Sequence, residues 1–328
     1  MKAVLIGIFI LFPLPGISKI CDIPVTVFNS NHISFGDSLD QGEVKVLDKG
    51  RIIHRKITLP EKNSNRKITA ILRIASAGDP WDRFGSIFIA GDNAPDVELT
   101  RFMTGFGTGR KDVEVHPTVK NWADYSEWEI DVSMLDVLLQ GEVIIGAMID
   151  TWVNPGWTIS FSLIFSEDET AINPFAIIPL INTVGEYKGI KFFNEQMLES
   201  EFNLEEKFTE ARLIIYTSGH GGTSLGDEFH PKHNVVYLDG KEIFRFIPWR
   251  SDCTQFRPFN PTSAKWEGDV WSSDLDRSGW CPGDIVDSYQ INLTGLNSGN
   301  HKLAYNVENQ SSLDMNFWNI DCYLAVWR

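Results

Sequence analysis

Short segments rich in β-branched and aromatic residues recur along this chain of 328 residues, whereas helical periodicity is scarce. Residues 86–90, 143–149 and 158–165 are clear examples, and they alternate in part between apolar and polar residues. Such segments fit a half-buried pleated sheet. Many short antiparallel strands joined by polar turns are typical of a β-sandwich or jelly roll. The sequence therefore predicts an all-β fold.

Several local patterns predict individual elements. Residues 235–244 contain Asp-Gly between two apolar runs, which predicts a tight β-hairpin. Residues 317–327 predict a final core strand, and helical turns are expected only at 132–139 and 194–204. The Gly-rich segment 217–222 is predicted to be a flexible loop that follows a strand.

The N-terminus has the pattern of a secretion signal. Lys2 precedes an apolar run that is too short to span a bilayer, and small residues follow. Residues 1–18 are therefore predicted to be a signal peptide, with a genuine N-terminal strand as the alternative. We expect a secreted or periplasmic protein.

An acidic stretch at residues 166–170 follows a predicted strand and has the composition of a linker. We therefore expect an N-terminal domain at 19–170 and a C-terminal domain at 171–328. The formal net charge of −15 argues against nucleic acid and anionic membrane surfaces as partners, because phosphates would be repelled. Neutral sugars remain compatible with this charge.

Two motifs near opposite ends of the chain combine carboxylate, guanidinium and indole groups. Residues 79–83 read Asp-Pro-Trp-Asp-Arg, and residues 276–283 read Asp-Arg-Ser-Gly-Trp-Cys-Pro-Gly. An indole offers a sugar ring a flat apolar surface, and charged groups bind its hydroxyl or acetamido groups. The two motifs suggest one carbohydrate cleft assembled from two domains.

These motifs, with Thr-Ser-Gly-His-Gly at 217–221 and Asp-Glu-Phe at 227–229 between them, resemble the bacterial peptide-N-glycosidase F family. Its members are amidases that cut N-glycans from asparagine. The resemblance covers roughly residue 30 to the C-terminus. It implies two jelly-roll β-sandwiches side by side, with the active site in the groove between them. We expect a monomer that acts on N-glycosylated proteins or glycopeptides and needs no cofactor.

The resemblance implies three catalytic carboxylates. Asp82 matches the principal aspartate beside the scissile bond, and Glu228 matches a glutamate of the other domain. Asp150 stands where the best-known member has glutamate, one methylene longer. From the residues alone, Asp82 could instead be a loop carboxylate paired with Arg83, and Glu228 an exposed loop residue.

Further residues are expected to bind substrate or to shape the site. Trp280 and Trp152 would contact the glycan, His220 would lie near the sugar, and Arg277 would polarise the amide carbonyl or hold Glu228. The full set is Asp79, Trp81, Arg83, Trp152, His220, Arg277 and Trp280. Asp79 is also expected to organise the loop around Asp82, and Arg83 to hold its local geometry. From the residues alone, Asp79 could instead be a turn-capping carboxylate, and Trp280 a core tryptophan held beside a disulfide.

Four cysteines in an exported chain permit disulfides, and there is no Cys-x-x-Cys motif. The family pairs cysteines at positions similar to those of Cys253 and Cys281. Cys21 and Cys322 could pair or stay free.

Two other functions remain open at this stage. A β-sandwich that binds carbohydrate without cleaving it would keep the same tryptophans. A metal-dependent oxidoreductase would use His220, His230 and His233, whose spacing could suit zinc or copper. Pro231 lies inside the His pair and no thiolate motif accompanies it, so no metal site is predicted.

Overall fold

The computed structural model describes residues 22–112, 116–184, 192–204, 207–221, 223, 225–266, 269–313 and 315–328. Within these ranges the fold is all-β, as predicted, with strands arranged in four sheets. The predicted signal peptide and Cys21 lie outside the described residues.

The first two sheets are formed mainly by residues of the N-terminal half. One has the order β1-β9-β4-β7, with strands β1 (Ile23–Ile33), β4 (Arg66–Ser76), β7 (Ser126–Asp131) and β9 (Trp157–Glu167). The other has the order β15-β6-β5-β8-β3-β2, with strands β2 (Val44–Leu47), β3 (Ile52–Leu59), β5 (Phe84–Ile89), β6 (Val97–Met103), β8 (Gly141–Ile149) and β15 (Ile285–Val286). All the pairings are antiparallel.

These two sheets form a sandwich because their strands alternate between buried and less buried residues. In β9, every second residue from Trp157 to Phe165 is buried, and in β4 the same holds from Ile68 to Ile74. These side chains share one hydrophobic core with residues such as Ile53 and Ile145 of the facing sheet. Burial of one face of each sheet is the expected source of the stability of this half.

The other two sheets come from the C-terminal half. One has the order β10-β18-β12-β16, with strands β10 (Ala176–Asn182), β12 (Glu210–His220), β16 (Tyr289–Asn292) and β18 (Phe317–Trp327). The other has the order β11-β17-β13-β14, with strands β11 (Leu198–Leu204), β13 (Asn234–Leu238), β14 (Lys241–Phe246) and β17 (Gly299–Val307). A second hydrophobic core lies between them. The chain thus forms two sandwiches, as the resemblance implied.

Helices contribute little to the described residues. They comprise the short α1 (Phe192–Glu195) and 3₁₀ turns at Asp48–Gly50, Ser133–Leu135, Cys253–Phe259 and Ser272–Asp274. In the part of the chain that the structure describes, no helix is long and apolar enough to cross a membrane. The domain boundary expected near residue 170 stays a prediction.

Two of the local predictions are confirmed. Leu238 pairs with Lys241 across the predicted Asp239-Gly240 turn, and residues 317–327 form β18. The segment 132–139 contains the single 3₁₀ turn Ser133–Leu135.

Two predictions are wrong. Most of the helix expected at 194–204 is strand β11, because Leu198, Phe202 and Leu204 lie on one buried face at period two. Much of the loop expected at 217–222 is the end of strand β12. Gly219 in this strand allows the Trp318 ring to pack against the backbone, since a Cβ at residue 219 would lie 2.7 Å from that ring.

The two sandwiches meet along β6 and β18, both of which are buried on both faces. Arg101 and Glu98 of β6 form a fully buried ion pair at 2.7 Å. Arg101 Nη1 also donates to the carbonyl oxygen of Asn319 at 2.6 Å, and the Glu98 backbone N–H donates to Asp321. Because buried charges are tolerated only when they are paired and hydrogen-bonded, these contacts specify one relative placement of the sandwiches.

The C-terminal half also contributes to the sheet of the N-terminal half. Ile285 and Val286 of β15 pair with Phe102 and Arg101 of β6. Nearby, Cys253 and Cys281 form the disulfide that the resemblance implied. Cys322 is buried and forms no disulfide with a described residue.

Candidate active site

A cavity of about 530 Å³ is lined by loops from both sandwiches. Its volume is in the usual range for small-ligand sites. The lining residues are Pro80, Trp81, Asp82, Phe106, Gly221, Glu228, Phe229, Thr262, Ala264, Lys265, Trp266, Ser272 and Arg277. Four residues predicted from the motifs therefore line one cavity, namely Trp81, Asp82, Glu228 and Arg277. Trp81 is 56% exposed and available to a ligand.

The loop between β4 and β5 carries Asp82, and the neighbouring Asp79 holds this loop in place. The fully buried Asp79 carboxylate accepts a hydrogen bond from Arg83 Nε at 2.8 Å. Thr151 Oγ1 and Trp157 Nε1 also donate to it, at 2.6 and 3.3 Å. Asp79 and Arg83 thus organise the loop, as expected for both. The substrate contact expected for Asp79 is wrong, because its side chain has no exposed surface.

A similar arrangement holds Glu228 in the second sandwich. The preceding Asp227 is fully buried and accepts hydrogen bonds from Trp318 Nε1 and the Ser311 backbone N–H, both at 2.9 Å. Glu228 Oε2 accepts a hydrogen bond from the Gly221 backbone N–H at 3.2 Å. A buried carboxylate bound to a tryptophan N–H thus fixes each loop that carries a candidate catalytic acid.

Arg277 joins the two acids. Its Nε donates to Glu228 Oε1 at 3.0 Å, and its Nη2 lies 3.6 Å from Asp82 Oδ2. The guanidinium is 1% exposed and lies between the rings of Phe229 and Trp280, at 5.1 and 4.8 Å. Contact with two aromatic faces keeps the guanidinium plane in one orientation, so its N–H groups point to the carboxylates.

The environment of the two acids disfavours their charged forms. Burial raises the pKa of Asp82, although Arg277 and Arg83 oppose this effect. Burial also raises the pKa of Glu228 to about 7, against the attraction of Arg277 and with a further increase from the negative charge of Asp82. The side chains keep 17% and 13% of their surface exposed, so both remain accessible from the cavity. Near neutral pH the pair can therefore both hold and accept a proton.

Hydrogen bonds between loops of the two sandwiches hold the walls of the cavity in place. The Phe106 backbone N–H donates to Asn260 Oδ1 at 2.8 Å, and the Thr262 N–H donates to the Phe106 carbonyl at 3.1 Å. Thr262 Oγ1 also donates to the carbonyl oxygen of Pro80, close to Asp82. The loop of Asp82 and the loop of residues 259–262 therefore form one connected unit.

Asp150 and Trp152 are not brought to the cavity lining. Asp150 forms an ion pair with Arg51 at 3.0 Å, and its backbone N–H donates to the Phe84 carbonyl. Trp152 is 52% exposed and contacts the Arg51 guanidinium at 4.5 Å and the Phe35 ring at 5.2 Å. This geometry gives no support to a direct catalytic role for Asp150.

The sugar contacts expected for Trp280 and His220 are wrong, because both side chains are buried. Trp280 is 3% exposed, and its indole N–H donates to the Gly219 carbonyl. His220 is 7% exposed and stacks between Trp280 and Phe317 at 5.5 and 4.8 Å. Burial lowers the pKa of His220 to about 3, so the ring is neutral. Trp280 packs against the Arg277 guanidinium, and His220 packs against Trp280.

Several residues of the lining were not predicted from the sequence, among them Phe106, Thr262 and Trp266. No local motif marked Phe106 or Thr262, because their role depends on contacts between distant loops. Trp266 lies between the paired Cys253 and Cys281, and this position was a signal that it belongs near the site.

The described residues contain no group of three or more His, Cys, Asp or Glu side chains placed to hold a metal ion. His220 belongs to the aromatic stack, and His230 Nδ1 lies 3.1 Å from the Gly226 carbonyl oxygen. The oxidoreductase alternative therefore gains no support from this geometry.

Comparison with protein-family profiles gives two matches. The profile described as Peptide-N-glycosidase F, N terminal, matches residues 24–95 and 90–165. The profile described as Peptide-N-glycosidase F, C terminal, matches residues 188–325. Together the matches span most of the chain.

Individual relatives agree with these profiles. The peptide-N(4)-(N-acetyl-beta-D-glucosaminyl)asparagine amidase F of Elizabethkingia miricola is 21% identical over 261 residues, or 76% of this chain and 68% of that protein. The crystal structure of PNGF-II superposes with a TM-score of 0.87 at 32% identity. The match covers 94% of this chain but only 65% of PNGF-II. PNGase F from Flavobacterium meningosepticum superposes with a TM-score of 0.69 at 18% identity, covering 94% of this chain and 96% of that one, which supports the fold.

Proposed function

Because the chain belongs to the peptide-N-glycosidase F family, we propose that it hydrolyses the amide bond between an asparagine side chain and the innermost N-acetylglucosamine of N-glycans. The chain spans about two thirds of PNGF-II, so the activity of that longer protein does not pass to it by likeness alone. The proposal depends on the site itself.

One observation supports the proposal most strongly. Asp82 from the first sandwich and Glu228 from the second contact the same Arg277 guanidinium, at 3.6 and 3.0 Å, beside one cavity. Amide hydrolysis needs a base for water, an acid for the leaving nitrogen and a positive group near the developing oxyanion. These three residues can supply all three requirements.

In the proposed reaction, the Asp82 carboxylate accepts a proton from a water molecule that attacks the amide carbonyl carbon. The carbon–oxygen bond forms as negative charge moves to the carbonyl oxygen. The Arg277 guanidinium lies within contact distance of both acids, so its charge favours this oxyanion. Arg83 and Asp79 keep the Asp82 loop in place.

Glu228 is proposed to donate the proton that the leaving nitrogen requires. A carboxyl with a pKa of about 7 is protonated in a large fraction of molecules at neutral pH, whereas an ordinary glutamate is not. As the carbon–nitrogen bond breaks, the products are an aspartate residue and a glycosylamine, which loses ammonia in water. The reaction uses no cofactor and involves no redox step.

The expected setting is an exported monomer that acts on N-glycosylated proteins or glycopeptides. The Cys253–Cys281 disulfide supports export, because such bonds persist in oxidising compartments. The exposed Trp81 beside Asp82 supports a sugar-containing substrate, because an indole face packs against the apolar face of a pyranose.

The test is hydrolysis of an N-glycopeptide by the purified protein in water enriched in heavy oxygen. We expect release of the glycan and a peptide whose new aspartate carries one heavy oxygen atom. Asp82→Asn should lose this activity while the circular dichroism spectrum stays unchanged. The same substitution at the exposed Asp92 is the matched control and should leave the rate unchanged.

Two outcomes would contradict the proposal. Full activity of Asp82→Asn would remove the role assigned to that residue. Glycan binding without any conversion of asparagine to aspartate would instead indicate the carbohydrate-binding alternative, with the same cavity serving as a binding site.

A further inference from the structure

The position of the Asp82 carboxylate depends on its main chain. Its Oδ2 atom lies 3.6 Å from Arg277 Nη2, which is beyond ordinary hydrogen-bond length. The main chain on either side of Asp82, in contrast, is hydrogen-bonded within the first sandwich. The Arg83 backbone N–H donates to Thr104 Oγ1 at 2.8 Å, and the Thr104 hydroxyl donates to the Trp81 carbonyl at 3.3 Å. The separation of carboxylate and guanidinium is therefore set by whatever holds this main chain.

A hydroxyl from the second half of the chain holds the same loop. Thr262 Oγ1 donates its hydrogen bond to the carbonyl oxygen of Pro80, two residues before Asp82. A carbonyl oxygen can only accept, so the single hydroxyl proton of Thr262 is committed to this bond. Gly107 makes room for the contact, since a Cβ there would lie 2.6 Å from Thr262 Cγ2 and 2.9 Å from Thr262 Oγ1. A larger residue at position 107 would therefore displace the hydroxyl from Pro80.

The segment that carries Thr262 is attached to the motif that carries Arg277. The side chain of Asn260 is buried, and its Nδ2 donates to the carbonyl oxygen of Pro282 at 2.9 Å. Pro282 belongs to the same motif as Arg277, at residues 276–283. A buried amide in such a bond cannot shift without leaving polar groups unsatisfied. Thr262 therefore connects the Asp82 loop to the part of the chain that holds the guanidinium.

We propose that Thr262 is a positioning residue for the hydrolysis, an inference that rests on the proposed amidase function. Its hydroxyl holds the Pro80 carbonyl and thereby sets the distance between the Asp82 carboxylate and the Arg277 guanidinium. Without the hydroxyl, the Asp82 loop moves away from the guanidinium and from the attacking water. A displacement of about 1 Å at a reacting group can lower a rate by about a hundredfold. Because Thr262 acts through Asp82, its loss should lower kcat and leave KM nearly unchanged.

Two substitutions at residue 262 and one matched control test this role. Thr262→Val keeps the shape of the side chain and removes the hydroxyl, whereas Thr262→Ser keeps the hydroxyl. The control is Thr108→Val. The buried Thr108 hydroxyl also joins the two halves of the chain, because it donates to the Phe259 carbonyl at 2.7 Å. Its proton is thus committed to Phe259 and not to the Asp82 loop.

The rate measurement uses an N-glycopeptide. We expect Thr262→Val to lower kcat by about tenfold or more with KM nearly unchanged, and Thr262→Ser to recover most of this rate. Thr108→Val should keep nearly the wild-type kcat. Both valine variants should lose similar stability in urea unfolding, because each lacks one buried hydrogen bond between the two halves of the chain.

Four outcomes of the rate measurement would overturn the proposal. They are a wild-type kcat in Thr262→Val, equal losses of kcat in Thr262→Val and Thr108→Val, a serine variant as slow as the valine variant, and a loss that appears in KM. The second would make the effect one of general stability, and the third would assign it to the missing methyl group. The last would make Thr262 a ligand contact.

A second measurement does not depend on activity. Infrared titration follows the Glu228 carboxyl, which is identified by its absence from Glu228→Gln. The negative charge of Asp82 contributes to the raised pKa of Glu228, so a displaced Asp82 should lower this pKa in Thr262→Val but not in Thr262→Ser. An unchanged pKa in folded Thr262→Val would show that Asp82 has not moved and would refute the positioning role. If the wild type hydrolyses no glycopeptide and this pKa still falls, the amidase proposal fails while the effect of Thr262 on Asp82 stands.

Discussion

Replacing Glu228 by glutamine should raise the free energy of unfolding at alkaline pH. The same substitution should abolish the amidase activity. A carboxyl whose pKa is raised by folding holds its proton more tightly in the folded state. Charge on Glu228 therefore costs stability once the pH rises above 4.5, its ordinary pKa, and the full cost is present above about 7. The difference between these values corresponds to about 3 kcal/mol of unfolding free energy. Glutamine is neutral at every pH and avoids this cost.

Urea unfolding at a series of pH values measures this effect. We expect Glu228→Gln to exceed the wild type by about 3 kcal/mol at pH 8 and to match it at pH 4, where Glu228 is protonated in the folded state. The control is Glu142→Gln, because Glu142 is 63% exposed beside Lys56 and should give no pH-dependent gain. Equal stability of Glu228→Gln and the wild type at pH 8, or a gain that does not vary with pH, would refute the reasoning.

Three further substitutions test the neighbouring acid, the buried ion pair of its loop and the disulfide. Asp82→Asn should lower the pKa of Glu228 below about 7, because it removes a neighbouring negative charge; infrared titration of the carboxyl band measures the value. Asp79→Asn should cost about 3–5 kcal/mol in urea unfolding, since it breaks a buried ion pair. Replacing Cys253 and Cys281 by serine should cost about 3.5 kcal/mol for a separation of 28 residues, and a reducing agent should then leave the melting temperature of this variant unchanged.

The sequence was sufficient to predict the all-β fold and to select Asp82 and Arg277 as candidate site residues. Alternating residues such as those of β9 show a sheet face directly, and the motifs around Asp82 and Arg277 contain unusual combinations of residues. Glu228 could be connected with them only through the resemblance to a family. The contact of all three in one cavity depends on the packing of two sandwiches, which no local pattern encodes.

The errors have a common physical cause. Trp280 and His220 belong to residue types that bind sugars when exposed, but exposure is set by tertiary packing and not by the residue type. The glycines near His220 were interpreted as signs of a loop. Gly219 instead lies in a strand and leaves room for the Trp318 ring, which a Cβ at this position would contact. The need for glycine here could not be predicted, because Trp318 is distant in the sequence.

The pairing of β15 with β6 has a consequence for how the protein is made and how it can be recombined. During synthesis β6 is complete long before Ile285 and Val286 emerge, so the backbone of Arg101 and Phe102 at the outer edge of β6 lacks its partner strand until then. An uncovered strand attracts other chains and promotes aggregation. A fragment that ends after β9 should therefore need its missing half in trans, and chimaeras between relatives should exchange β6 and β15 together.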